Sequence, residues 1–387
     1  MLPPRLSLAE LSRHRKGWRR LLGADTPKPP RPRTRLREMR DFQPNPGALR
    51  MFHYVPAELP AGAPLVVVLH GCGQNAPLYD HGTGWSVLAA RHRFALLCPE
   101  QQPANNARLC FNWFRPEDVA REGGELESIL AMIDWMQRRH RLDPARMHVT
   151  GLSAGGAMAA ALLSVAPERF AAGAVIAGLP FGAARSGGEA LHAMFHARRR
   201  RAADWAGLAR AAAGRDGPWP RIAIWQGDAD ETVVPGNALE LEKQWTALHG
   251  LEGTAPELDT ADGHPRRRWR DAGGRVVVES LRIAGLEHGT PIAAPRGAEG
   301  GHGGMRLGSA SAHVLDVGVS STWRIAQSWG LIRPSRPGTV RPQPPKSPAV
   351  ARKPRRARAR TAPALGLGWQ LAMASVASLG RMLRRRR

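Results

Sequence analysis

Six short apolar runs, most of them rich in β-branched residues, recur along the middle of the chain: "PLVVVLHG" (Pro64–Gly71), "FALLCPE" (Phe94–Glu100), Met147–Thr150, "AAGAVIAG" (Ala171–Gly178), "RIAIWQG" (Arg221–Gly227) and "RVVVESLRIAG" (Arg275–Gly285). Runs of this length without apolar–polar alternation are strands buried on both faces. Helical patterns lie between and after them. "EGGELESILAMIDWMQRRH" (Glu122–His140) is amphipathic, a further helix is expected from about Gly156, and "SSTWRIAQSWGL" (Ser320–Leu331) reads as the last. Buried strands alternating with helices build an α/β fold, a mostly parallel central sheet with helices on both faces.

Charge separates this body from the chain ends. The 387 residues carry a formal charge of +24, of which residues 1–40 hold +9 and residues 333–387 hold +15, so the intervening stretch is neutral overall. Residues 6–22 place Leu8, Leu11, Trp18 and Leu22 near one helical face among basic residues, a short basic amphipathic helix. A Pro/Arg linker follows at Thr26–Arg35, and the folded domain is expected from about Asp41 to residue 332. Residues 333–362 are Pro- and Arg-rich without hydrophobic period, a disordered tether. Residues 363–387 regain an apolar stripe (Leu365, Trp369, Met373, Val376, Leu379, Leu383) and end in Arg384–Arg387; Gly366, Gly368, Gln370 and several serines make this a poor membrane span and a better surface-lying amphipathic helix.

Cys72, Cys98 and Cys110 are too few for a disulfide scaffold and lack zinc-site spacing. The first leucines are interrupted by Arg13, Arg15, Lys16, Arg19 and Arg20, which leaves no secretory apolar region; the Arg19-Arg20 pair is followed by Gly23–Pro27 where a twin-arginine signal requires an apolar run.

"MHVTGLSAGGAM" (Met147–Met158) runs from a strand into Ser153, flanked by Gly151 and Gly155, and on into a helix. This is the G-x-S-x-G pattern in the strand–turn–helix context of a nucleophile elbow, where a Cβ on either flank would collide with neighbouring backbone. With 42 glycines in the chain, the pattern alone fits a plain tight turn equally well. The order of later residues decides. A serine hydroxyl needs a base and the base needs an orienting carboxylate. "IAIWQGDADETVVP" offers Asp228 and Asp230 directly after a strand, and "LRIAGLEHGTP" offers His288 directly after another. An oxyanion hole needs two inward N–H groups: the residue after the nucleophile, Ala154, supplies one, and the loop "VVVLHGCGQ", through Cys72 or its neighbour, supplies the other.

The motifs "PLVVVLHGCGQNA", "GTGWSVLAARHRFALLCPEQ", "CFNWF", "DPARMHVTGLSAGGAMAA", "AGLPFGAA", "QGDADETVVPGN" and "LDVGVSSTWRIAQSWGL" together resemble the poly(3-hydroxybutyrate) depolymerase family of esterases, over about Phe42–Leu331. The resemblance implies an α/β-hydrolase fold and a triad of Ser153, Asp230 (over Asp228) and His288. It also implies that the Cys72 N–H lies in the oxyanion hole, that Cys72 pairs with Cys110 in a disulfide, and that Trp113 lines the substrate cleft. A cytosolic thiol pair normally stays reduced, so the absent leader and the implied disulfide pull apart; the cytoplasm is the expected compartment and export, as in many relatives, the alternative. Cys98 stands where the family more often has an aromatic and reads as a buried free thiol. The Arg198–Arg201 run reads as a solvated face.

The expected activity is serine-dependent hydrolysis of short-chain 3-hydroxyalkanoate polyester or its oligomers, with no metal or organic cofactor. Feruloyl and acetyl esters on plant polysaccharides are the alternative on the same core. A protein of another class, binding polyanions or surfaces through its basic ends, is the competing reading. No base-reading motif or aromatic platform accompanies the arginines, which speaks against specific nucleic-acid recognition; docking on a granule or anionic membrane reconciles the ends with an esterase body. A peptidase on this scaffold lacks any supporting acid or propeller.

Overall fold

A computed structural model describes residues 32–294 and 307–332; the amphipathic and linker readings at residues 1–31 and 333–387 lie outside the described residues. A ten-stranded sheet runs through the body. Its strands are β1 (Arg37–Met39), β2 (Arg50–Tyr54), β3 (Leu65–Leu69), β4 (Ala95–Glu100), β5 (Met147–Leu152), β6 (Ala172–Ile176), β7 (Arg221–Gly227), β8 (Glu257–Ala261), β9 (His264–Arg270) and β10 (Val276–Ile283). They are ordered β1-β2-β4-β3-β5-β6-β7-β10-β9-β8. The six central strands are mutually parallel and are the six apolar runs; antiparallel pairs extend both edges.

Every residue of β3, β4, β5 and β6 is buried, because helices cover both faces. On one face Val67, Leu69 and Val149 pack with α3 (Gly124–His140) and α4 (Ala154–Val165). On the other, Val66, Val68, Leu96 and Trp225 pack with α1 (Ala76–Thr83), α2 (Trp85–His92) and α8 (Ser321–Ser328). Two helices, α5 (Gly187–His196) and α6 (Ala202–Ala213), follow β6, and α7 (Gly236–Leu248) follows β7. The short parallel pair β11 (Thr290–Ile292) and β12 (Val314–Asp316) precedes α8.

From β3 the chain crosses to β4 on one side, then returns to β5 on the other. The carboxyl ends of β3 and β5 therefore flank a topological switch point, where open α/β sheets place their ligands. The loops "HGCGQ" and "GLSAGG" both emerge there.

Two expectations need correction. The folded body begins before Asp41: Leu36 is buried and β1 pairs with β2, Arg37 opposite His53. A short polar edge strand carries no apolar period, which is why its signal is absent. The Arg198–Arg201 run is only partly a solvated face. Arg198 and Arg200 are half-buried, the first paired with Glu189 at 3.2 Å and the second lying over the Trp205 ring at 5.0 Å.

Candidate active site

Ser153 occupies the step between β5 and α4 with φ 56° and ψ −118°, a strained conformation for a non-glycine residue. Its N–H donates to the Ile176 carbonyl at 2.9 Å, which pins the turn to β6. The flanking glycines are a packing requirement. A Cβ on Gly151 would lie 2.3 Å from the Gly155 carbonyl oxygen, and one on Gly155 would lie 2.5 Å from the Leu69 and His70 oxygens. α4 consequently starts at Ala154, two residues earlier than expected, since Gly155 and Gly156 continue the helix rather than precede it. As the first residue of α4, Ala154 has no intrahelical acceptor for its N–H.

Asp230 follows β7 and is buried. Its Oδ1 accepts from the Thr232 and Val233 N–H groups at 2.8 and 2.9 Å, and its Oδ2 accepts from Gln226 Nε2 at 3.2 Å. The same Oδ2 lies 2.8 Å from His288 Nδ1. A carboxylate holding three other donors presents an acceptor to the imidazole, so Nδ1 carries the proton and Nε2 keeps its lone pair. Asp228, the other candidate, turns away: its Oδ1 accepts from the Gly285 N–H at 2.6 Å and closes the loop after β10. Ser153 and His288 are 6% and 7% exposed, so both sit just below the surface.

The loop after β3 is held from several directions. The Gly71 N–H donates to Gln74 Oε1 at 3.0 Å, and the Gly73 N–H donates to the Arg108 carbonyl at 2.8 Å. His70 Nε2 accepts from the Gln101 N–H at 3.1 Å, which leaves Nδ1–H to donate to the Gly71 carbonyl at 2.8 Å. Burial pushes the His70 pKa down to about 4, so this neutral tautomer persists. Fixing the Gly71 carbonyl fixes the plane of the Gly71–Cys72 peptide, and with it the opposite direction of the Cys72 N–H.

Cys72 and Cys110 form a disulfide, as the resemblance implies, and Cys98 is a buried free thiol whose pKa is raised by burial. Trp113 is 8% exposed and meets Phe114 edge-on at 5.6 Å, as part of the core on the α4 face. Residues 101–113 are gathered by Glu125, a buried carboxylate at the start of α3. It accepts from the Asn112 N–H and Nδ2 at 2.8 Å each and from Gln101 Nε2 at 2.5 Å. Burial lifts its pKa to about 8 against these hydrogen bonds.

The sequence alone did not point to Glu125, Gln226 or His313. In sequence Glu125 is an ordinary first-turn helix acid, and Gln226 is the polar end of a strand. His313 Nδ1 lies 3.1 Å from the His288 carbonyl, and its ring meets the His288 ring at 5.7 Å. Among the described residues, no group of three or more His, Cys, Asp or Glu side chains converges as a metal site.

The family model described as Esterase PHB depolymerase matches residues 51–261. Poly(3-hydroxyalkanoate) depolymerase C of Paucimonas lemoignei is 42% identical over 298 residues, covering 77% of this chain and 70% of that protein. An acetylxylan esterase of Coprinopsis cinerea is 30% identical over 280 residues, 68% of this chain and 72% of its own length. Among solved structures, an acetyl xylan esterase from Aspergillus awamori superposes with a TM-score of 0.64 at 22% identity, over 77% of this chain and 99% of that one, a likeness of fold.

Proposed function

The chain belongs to the PHB depolymerase family of esterases and is a carboxylic ester hydrolase of α/β-hydrolase fold; from that premise we propose that Ser153, His288 and Asp230 form its catalytic triad and that its substrate is a short-chain poly(3-hydroxyalkanoate) or its oligomers. The His288 Nδ1–Asp230 Oδ2 contact of 2.8 Å carries the assignment, because it leaves Nε2 as the base. Ser153 attacks the ester carbonyl as His288 Nε2 takes its proton. The N–H groups of Cys72 and Ala154 receive the oxyanion, a contribution of about 10²–10³ in rate per donor. His288 then protonates the departing alkoxide, and water, activated by the same imidazole, releases the acyl group from Ser153. The exposed edge of Trp113 borders the bound acyl chain.

The polyester assignment is supported by the named activity of the Paucimonas relative. An acetyl- or feruloyl-ester reading is supported by the acetylxylan esterase relatives. Basic residues at both ends of the chain suit docking on a granule or anionic membrane. Hydrolysis of p-nitrophenyl butyrate and of amorphous 3-hydroxybutyrate polymer, by wild type and Ser153→Ala, separates these readings. Turnover of both substrates, lost in the variant, supports the depolymerase. Turnover of the small ester alone moves the substrate to other esters, and turnover of neither removes the nucleophile assignment.

A further inference from the structure

A cavity of about 290 Å³ lies between α8 and the sheet face formed by β6, β7, β10 and β9. Its lining includes Ala172, Arg221 and Val276 at the starts of β6, β7 and β10 and extends along the strands to Trp225 and Leu281. Asp230 and His288 follow the other ends of β7 and β10, which puts them roughly 20 Å of strand from Arg221 at the start of β7. The volume is at the low end of that of small-molecule sites, about 300–1,000 Å³.

Its lining combines an apolar floor with an excess of hydrogen-bond donors. Ala223, Trp225, Leu281 and Trp329 supply the floor, and Arg221, Arg266, Arg268 and Arg324 supply the charge, against the carboxyl of Glu279. Three of the guanidinium groups are already engaged. Arg266 pairs with Asp259 at 2.6 Å and with Glu279 at 3.3 Å, Arg268 with Asp259 at 2.8 Å, and Arg324 with Asp262. Arg221 differs: among the described residues no carboxylate lies within ion-pairing distance, and its Nη1 donates to the Ser328 carbonyl at 3.2 Å. Burial and the nearby Arg275 lower its pKa, against the Glu279 carboxylate beyond ion-pairing distance. Two further donors on lining residues are buried without a partner, Trp225 Nε1 and Arg268 Nε; Trp225 is 2% exposed. Buried polar groups are ordinarily hydrogen-bonded, so unpaired donors around an apolar cavity call for an acceptor.

We propose that this cavity binds a small organic monoanion with an aliphatic body, a short-chain carboxylate, with Arg221 as its counter-ion and the Trp225 indole N–H as a second donor. Arg268 also pairs with Glu257 at 3.3 Å, a carboxylate it shares with Arg270. Across this cluster Arg221, Arg266, Arg268, Arg270 and Arg324 stand against Asp259, Glu257, Glu279 and Asp262, five cations against four carboxylates, so one charge is unmatched and a monoanion completes the set. A carboxylate is also what an ester hydrolase releases, so the site is suited to hold acid product apart from the esterolytic centre. The proposal does not depend on which ester is the substrate.

The test uses ligand-observed NMR on the full-length protein with hexanoate as probe and hexanamide as its uncharged counterpart, and p-nitrophenyl butyrate turnover as the measure of folding. Hexanoate is expected to bind saturably with a Kd of about millimolar or tighter, and hexanamide more weakly. Arg221→Met is expected to weaken hexanoate binding about tenfold or more, while Arg221→Lys retains most of it and both variants keep wild-type turnover. If Arg221→Met also loses turnover, Trp225→Phe, which removes the indole N–H and keeps an aromatic ring, carries the test and is expected to weaken binding several-fold. Absence of saturable binding overturns the proposal. So do equal affinities for acid and amide, or wild-type affinity in the folded variant used.

Discussion

Gly155→Ala tests whether the elbow geometry is what the catalysis depends on. The added Cβ would sit 2.5 Å from the carbonyl oxygens of both Leu69 and His70, and 2.8 Å from the Leu69 carbonyl carbon. All three atoms are backbone, so no side chain can rotate aside. Reaching the 3.4 Å at which contact becomes ordinary requires the end of β3 and the start of α4 to separate by about 0.9 Å. Those two elements carry the Cys72 and Ala154 N–H groups. Overpacking of this kind costs about 1–3 kcal/mol, and a displacement near 1 Å at the reacting groups costs about 10² in rate. Urea titration should therefore show a lowered midpoint with unchanged slope. Ester hydrolysis should show kcat and kcat/KM reduced together, since on the proposed assignment these donors act on the transition state. Gly207→Ala is the control: it lies in α6, no atom is within 4 Å of its Cβ position, and alanine should stabilise the helix by about 0.5–1 kcal/mol at full activity. Wild-type midpoint and kcat in Gly155→Ala would refute the reasoning.

Further outcomes follow from the same structure. Because burial raises the Glu125 pKa from 4.5 to about 8, its ionisation opposes folding: stability is greatest below the unfolded pKa and falls as pH rises from about 4.5 to 8, by on the order of a few kcal/mol. Glu125→Gln should flatten that slope in urea midpoints measured from pH 5 to 9; an unchanged slope would remove Glu125 as its source. The Cys72–Cys110 disulfide closes a loop with a sequence separation of 38, for which chain entropy gives about 4 kcal/mol. Cys110→Ser should lower stability by a comparable amount in a denaturant titration, and an unaltered midpoint would show that the cross-link constrains nothing. Deleting residues 333–387 removes fifteen basic residues and should abolish co-sedimentation with anionic liposomes and polyester granules while turnover of p-nitrophenyl butyrate persists. Unchanged sedimentation would remove the docking role.

The central strands were legible because they are buried on both faces, so that Leu65–Leu69 or Ala172–Ile176 is apolar at every position and needs no periodicity to be recognised. The edge strands were not. β9, "HPRRRWR", is held to β8 and β10 by ion pairs such as Arg266 with Asp259 and Glu279, and a run of arginines in sequence reads as solvated chain. At the candidate site, the residues alone left Asp228 and Asp230 open, and the family pattern pointed to Asp230. The structure explains why two aspartates stand two apart: one closes the neighbouring loop through the Gly285 N–H and the other faces His288. The partners that hold these groups come from distant segments. His313 meets the His288 carbonyl from 25 residues away, and Gln101 meets His70 from 31. No local pattern encodes such contacts, because they exist only once β3, β4 and β10 lie in one sheet.

The triad assignment is tested most directly by intact-protein mass spectrometry after reaction with an ester-like p-nitrophenyl phosphonate, followed by peptide mapping. The account predicts a single phosphonyl adduct on Ser153, concurrent loss of esterase activity, no adduct in Ser153→Ala and slow labelling in His288→Ala. An adduct on another residue, or full activity after Ser153 is labelled, would contradict it.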